Sequence, residues 1–236
     1  MARKPVWTSI AATLEGEITA GHYRAGDKLP TEAVLAARFG VNRHTVRRAL
    51  ADMSERGITR SRRGAGVFVE TPPADYPIGR RVRFHRNIAA TGRLPEKQVL
   101  RVETRLCNRD EAAALGLDTG ARVIVYEGLS LAGGTPIAHF ESVFPEARVP
   151  DLAEALAETS SVTEALRMNG IADFTRAETR LVAERASATQ ALHLRLREGD
   201  PLLKALSVNV CPEGRPIERG TTWFAGERVT LTVAPD

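Results

Sequence analysis

Asn42-Arg43-His44-Thr45-Val46-Arg47 concentrates hydrogen-bonding chemistry as no other stretch of this 236-residue chain does. Arg43 and Arg47 stand four apart, on one face of any helix that holds them. A guanidinium placed there can donate two hydrogen bonds to the O6/N7 edge of a guanine. His44 and Thr45 suit a phosphate or a base, and open backbone N–H groups at Asn42 and Arg43 suit a phosphate. Further on, Arg62-Arg63-Gly64-Ala65-Gly66 joins two cations to two glycines. The glycines permit close backbone approach, and Arg62 and Arg63 can reach phosphates or the minor groove.

These groups need a scaffold, and the flanking residues supply one. Val6, Ile10, Leu14 and Ile18 recur every four residues, the period of an amphipathic helix. Gly21 and Gly26 end it. Thr31 follows Pro30 as an N-cap, and Glu32 suits the positive end of the next helix, which runs through Val34, Leu35, Ala36 and Phe39 to Gly40. Asn42 then caps a third helix with Val46, Ala49, Leu50 and Met53 inside, and Gly57 stops it. Ile58–Ser61 and Val67–Val69 read as two short strands around the glycine-rich turn. Three helices and a two-stranded wing make a winged helix-turn-helix, whose last helix presents its first residues to base edges.

Charge supports a polyanion partner. The net charge is +4. Residues 1–75 hold 12 Lys and Arg against 8 Asp and Glu, whereas residues 76–236 hold 21 of each. The whole excess therefore sits in the first third, the footprint of a nucleic-acid module. No apolar run approaches the ~20 residues that span a membrane, and no apolar block follows Arg3-Lys4, so a cytoplasmic protein is expected. Cys107 and Cys211 have no metal-ligand or redox spacing. They read as reduced core residues; no metal or cofactor is expected.

The stretches Gly26-Asp27-Lys28-Leu29-Pro30-Thr31-Glu32, Gly40 to Arg47 and Gly64-Ala65-Gly66-Val67-Phe68-Val69 resemble the GntR family of bacterial transcription regulators. The resemblance covers about the first 70 residues. It implies binding to double-stranded operator DNA through Thr31, Asn42, Arg43, His44, Thr45, Arg47, Arg62, Arg63, Gly64 and Gly66. Many members place a basic residue after the Pro-Ser/Thr-Glu triplet. This chain has Ala33 there, which implies one DNA contact fewer.

Composition sets domain limits of 1–70 for the winged helix-turn-helix, 71–77 for a stiff Pro-rich linker and 78–236 for a second domain. In that second domain Asn108-x-x-Glu111, Ser161-x-x-Glu164 and Ser187-x-x-Gln190 have capping-box spacing and predict helix starts. Val99–Leu106, Val123–Leu131, Ile137–Phe144, Thr175–Val182, Leu202–Cys211, Ile217–Phe224 and Val229–Val233 predict strands. A capped helix, a glycine turn, a strand, Gly-x-Pro-Ile and a returning strand occur twice, about 80 residues apart: Gly120 answers to Gly199, Gly134 to Gly214 and Phe144 to Phe224. The simplest arrangement is α+β, two halves sharing an antiparallel sheet about a pseudo-twofold axis. The crevice between the halves is a natural ligand site.

Gly134-Thr135-Pro136, Ser142-Val143-Phe144-Pro145, Glu218 and Gly226-Glu227-Arg228 are similar in order to the UTRA effector domain of the HutC branch, which has a chorismate-lyase-like fold. Tyr76-Pro77-Ile78 and Arg81-Val82-Arg83-Phe84-His85-Arg86-Asn87 look most like the phosphonate-utilisation regulators of that branch, the PhnF type. The resemblance implies a homodimeric, ligand-responsive repressor of phosphonate genes. Urocanate and a sugar phosphate are the other effectors it leaves open. A helix entered at Arg81 and running to Gly92 would offer an anion its N-terminus and Arg81 or Arg83. Phe84, His85 and Asn87 belong to the same segment; Ser130, His139 and Ser142 are candidate donors, and Glu218 a partner for an amine or hydroxyl. Sugar-phosphate sensors of this branch usually carry two arginines where this chain has Gly128 and Ser130. The related fold includes a lyase, but no Ser/His/Asp motif, metal-ligand cluster or phosphate loop supports an enzyme.

Overall fold

The computed structural model describes residues 5–24, 26–62, 64–70, 73–81 and 84–233. The chain divides into two compact units, Met1–Pro72 and Pro73–Asp236.

The first unit holds α1 (Val6–Thr19), α2 (Glu32–Phe39), α3 (Arg43–Glu55) and the antiparallel pair β1 (Thr59–Arg62) and β2 (Gly66–Val69). Its core gathers Ile10, Leu14, Leu29, Leu35, Val46, Ala49, Leu50, Met53 and Val69. The Thr31 hydroxyl accepts from the Val34 N–H at the start of α2, and Gly40 ends that helix in the left-handed conformation, φ 64°. This turn delivers the chain to Asn42, whose side chain accepts from the Thr45 N–H and starts α3. Val6 departs from the apolar stripe expected of α1: it is 57% exposed. The first turn of α1 overhangs the core, and Trp7 packs there instead. Val34 likewise faces outward at 56% exposure.

The second unit begins with β3 (Ala74–Pro77), which pairs in parallel with β10 (Val229–Thr232) near the C-terminus. Residues 74–77 read as linker in the sequence, yet Ala74 and Tyr76 are buried and Asp75 and Pro77 exposed. Four residues are too few to show that alternation without knowing the distant partner strand. The helix expected from Arg81 to Gly92 is shorter, α4 (Phe84–Ala90), so Arg81 precedes it.

The main sheet contains β4 (Pro95–Leu106), β5 (Arg122–Ala132), β6 (Thr135–Pro145), β7 (Thr175–Arg185), β8 (Pro201–Val210) and β9 (Pro216–Ala225). Its order is β4-β5-β6-β9-β8-β7 and every pairing is antiparallel. Each half is therefore an edge strand, a capped helix and a hairpin, and the halves meet at β6 and β9. The capped helices are α5 (Arg109–Leu115) and α8 (Ala188–Leu194), with complete capping boxes at Asn108/Glu111 and Ser187/Gln190. The third expected box is half made: Ser161 caps α7 (Val162–Met168), but Glu164 turns to Arg167. Helix α6 (Leu152–Thr159) and α7 pack over Ile124, Tyr126, Phe140 and Phe144. The opposite face carries α5 against Val123, Val125 and Val143, and α8 against Leu202 and Trp223.

Candidate functional site

In the first unit, a concave surface is lined by Lys28–Ala33, Arg43, Ser61, Arg62 and Gly64–Val67. It brings together Thr31, Arg43, Arg62, Gly64 and Gly66 of the expected set. Lys28 joins them as a cation that charge counting had not singled out. Gly66 has φ 115°, and a Cβ there would stand 2.8 Å from the Lys28 Cε. The wing turn thus requires glycine at this position. Arg62 lies over the Phe68 ring, 4.9 Å from its centroid.

The start of α3 is more ordered than a bare charged helix. Asn42 Oδ1 accepts from both the N–H and the hydroxyl of Thr45, at 2.8 and 2.9 Å. Arg43 and His44 are exposed, and Arg43 makes no ion pair among the described residues. Arg47 is held by Glu32 through two hydrogen bonds of 2.9 and 2.7 Å. These bonds hold the Glu32 carboxyl below its ordinary range, with Arg43 and His44 adding to the effect. Arg43 and Arg47 therefore differ although their spacing is symmetric: one is free to meet a base, the other ties α3 to α2. Arg63 lies outside the described residues.

In the second unit, a cavity of about 130 Å³ opens on the α6–α7 face of the sheet. Of the expected effector residues, Phe84, Ser130, Ser142 and Glu218 line it. Glu218 is buried and accepts from Ser142 Oγ at 2.7 Å and Asn209 Nδ2 at 2.6 Å. Asn209 Oδ1 in turn accepts from Arg176 Nε at 3.3 Å. On the other side stands Lys97, its ammonium 4.9 Å from the Phe140 centroid, 5.5 Å from Tyr126 and 6.0 Å from Phe84. Burial pushes Lys97 down to about 8, with Glu218 pulling the other way.

Three expected residues do not join the cavity. Arg81 points to Asp173, 2.6 Å away, and is 60% exposed. Asn87 donates to the Pro77 carbonyl at 3.2 Å. His139 lies on the opposite face of β6, because successive strand residues alternate sides and Ala138, Phe140 and Ser142 take the cavity side. Its Nε2 is 2.8 Å from Glu127 and its ring stacks on Trp223, with 5.1 Å between centroids. Burial lowers its pKa, with Glu127 opposing. Arg83 and the His85 side chain lie outside the described residues.

Sequence reading missed Lys97, Arg176 and Asn209. The repeat contained the signal. Lys97 pairs with Ser130 and Arg176 with Asn209, and the same 79-residue step separates Lys97 from Arg176 and Ser130 from Asn209. A Cβ on Gly128 would lie 2.6 Å from the Gln98 carbonyl oxygen and 2.8 Å from the Phe140 ring. An arginine has no room there; positive charge enters the cavity from the edge strands instead.

Comparison with known proteins agrees with both halves of this description. Residues 8–69 match the model for bacterial regulatory proteins of the gntR family, and residues 90–230 match the UTRA domain. The probable transcriptional regulator PhnF of Escherichia coli (strain K12) is 36% identical over 96% of this chain and 94% of its own. An uncharacterised HTH-type transcriptional regulator of Rhizobium meliloti (strain 1021) is also 36% identical, over 97% of this chain and 94% of that protein. The crystal structure of PhnF from Mycobacterium smegmatis superposes with a TM-score of 0.68 at 26% identity, covering 96% of this chain and 99% of that one. No helix among the described residues is long and apolar enough to cross a membrane. With its winged helix-turn-helix and its duplicated effector fold, the chain belongs to the GntR family of bacterial transcription regulators, in the HutC type that carries a UTRA domain.

Proposed function

We propose that this regulator is a homodimeric repressor of phosphonate uptake and degradation genes, released from its operator by a small phosphonate. The observation that carries the reading is the placement of Lys97 and Arg176, one cation from each half of the sheet, on a cavity that also holds Ser130 and Thr222 hydroxyls. A phosphonate offers three oxygens to such donors, and charge-assisted bonds of this kind are about twice as strong as neutral ones. Similarity to PhnF of two organisms supports the same effector class. The close packing around Gly128 argues against the arrangement expected of a sugar-phosphate sensor.

On DNA, Arg43 reads a base edge in the major groove while Lys28 and the wing hold phosphates. Two such modules match a palindromic operator. The effector acts through its unequal affinity for the DNA-competent and DNA-incompetent states. Fluorescence anisotropy of the full-length protein on DNA from upstream of its own gene, at fixed salt, tests the proposal. Ethylphosphonate is expected to release the DNA while inorganic phosphate, urocanate and glucosamine 6-phosphate do not. Specific binding that no phosphonate perturbs would overturn the effector assignment.

A further inference from the structure

The cavity is built from matched pairs, with one exception. Lys97 answers to Arg176 and Ser130 to Asn209 across the 79-residue step. The Gly-x-Pro-Ile turns, 80 residues apart, make Ser142 answer to Thr222 and Ala138 to Glu218. All eight side chains line the cavity. Duplicated positions thus supply paired cations and paired polar groups, whereas the single carboxylate stands where the other half has a methyl group.

That carboxylate is costly to leave facing an apolar ligand. It is buried to 8% exposure. Ser142 and Asn209 each occupy one acceptor site, one on each oxygen, and a carboxylate has about four. The cavity wall also contains the rings of Tyr76, Phe174 and Phe224, whose faces favour a cation. Among the described residues that line the cavity, Lys97, Arg176 and Glu218 sum to one positive charge, which a ligand with two negative charges on one end and one positive on the other neutralises.

Resting on the phosphonate reading above, we infer that the effector is a zwitterionic aminoalkylphosphonate, its phosphonate met by Lys97 and Arg176 and its ammonium by Glu218. A plain alkylphosphonate of the same length would leave the Glu218 acceptors unfilled, and sites built to bond a polar group discriminate strongly against analogues that lack it.

Titration calorimetry of the full-length protein at pH 7 tests this with 2-aminoethylphosphonate and propylphosphonate, which match in chain length and differ in the amine. The amine is expected to tighten binding by about tenfold or more, and Glu218→Gln is expected to bring the two affinities together. Operator binding by the variant serves as the check on its fold, and the wild-type comparison decides the matter if the variant fails to fold. Equal affinities, or a preference for propylphosphonate, would overturn the zwitterion inference while leaving the phosphonate reading in place. Binding of neither ligand would overturn both.

Discussion

Lys97 and Arg176 hold the same position in the two halves of the effector sheet. Each lies on an edge strand, opposite a buried polar residue of the neighbouring strand, Ser130 for Lys97 and Asn209 for Arg176. Sheet order places these edges as far apart as strands can be, at β4 and β7, yet both side chains reach one cavity. The repeat thereby places two cations, one from each half, on one cavity. Replacing either by methionine keeps much of the packing and removes the charge. Lys97→Met and Arg176→Met are each expected to weaken ethylphosphonate binding by about 1.5–3 kcal/mol, the range for hydrogen bonds to charged groups. Calorimetry reads the loss directly.

Effector affinity should depend on pH through Lys97. Its ammonium, surrounded by three rings, titrates at about 8 rather than 10.5, so the charge that meets an anion disappears as pH rises through 8. Tyr76, pushed up to about 12 by burial, stays neutral across this window. Affinity of the wild-type protein is expected to fall between pH 7 and 9 relative to Lys97→Arg, with the ligand's own ionisation common to both. The stability effect has the opposite sense. A lysine whose folded pKa is depressed disfavours folding at neutral pH, and that penalty fades as pH rises from about 8 towards 10.5.

On the DNA side, Arg43 and Arg47 should separate in effect. Arg43→Ala is expected to weaken operator binding by about 1–3 kcal/mol and to relax the preference at one base pair. Arg47 is committed to Glu32, so Arg47→Ala should act through the α2–α3 contact and lower thermal stability as well as affinity. Arg62→Ala, at the wing, is expected to weaken all sequences alike and reduce the salt slope by about 1. Anisotropy across a set of operator variants and salt concentrations distinguishes the three.

Glu111 provides a test of the fold itself. It is 1% exposed, closes the Asn108 capping box and accepts two 2.7 Å bonds from Arg105. The Arg105 bonds hold its carboxyl below the usual range. Its contribution is therefore present above the unfolded pKa near 4.5 and lost as pH falls through the lower folded value. Arg105 is one-third exposed, which softens the penalty of leaving it alone. Glu111→Ala is expected to lower stability by about 2–3 kcal/mol at pH 7, measured by urea denaturation.

Much of this architecture was legible because it rests on local chemistry. Thr31, Gly40 and Asn42 fix the helix-turn-helix through caps and one left-handed turn, all visible as residue types in order. The Gly-x-Pro-Ile turns likewise announced two hairpins and an axis between them. The cavity was harder to read. Ser142 and Glu218 stand in the motif, whereas Lys97 and Arg176 lie on edge strands, where a basic residue is usually only a solvated charge. His139 and Ser142 stand three apart on β6, an odd step that puts their side chains on opposite faces of the sheet and is already legible in the sequence. The short β3 could not be recognised before its partner, β10, was known from the far end of the chain.

Whether a phosphonate occupies the cavity between the two halves is decided by a crystal structure of the protein with bound ethylphosphonate. The phosphonate oxygens are expected within hydrogen-bond distance of Lys97 Nζ and the Arg176 guanidinium, on the cavity side of β6 and β9. A phosphonate bound instead at Arg81 and α4, with the Lys97–Arg176 cavity empty, would contradict this placement.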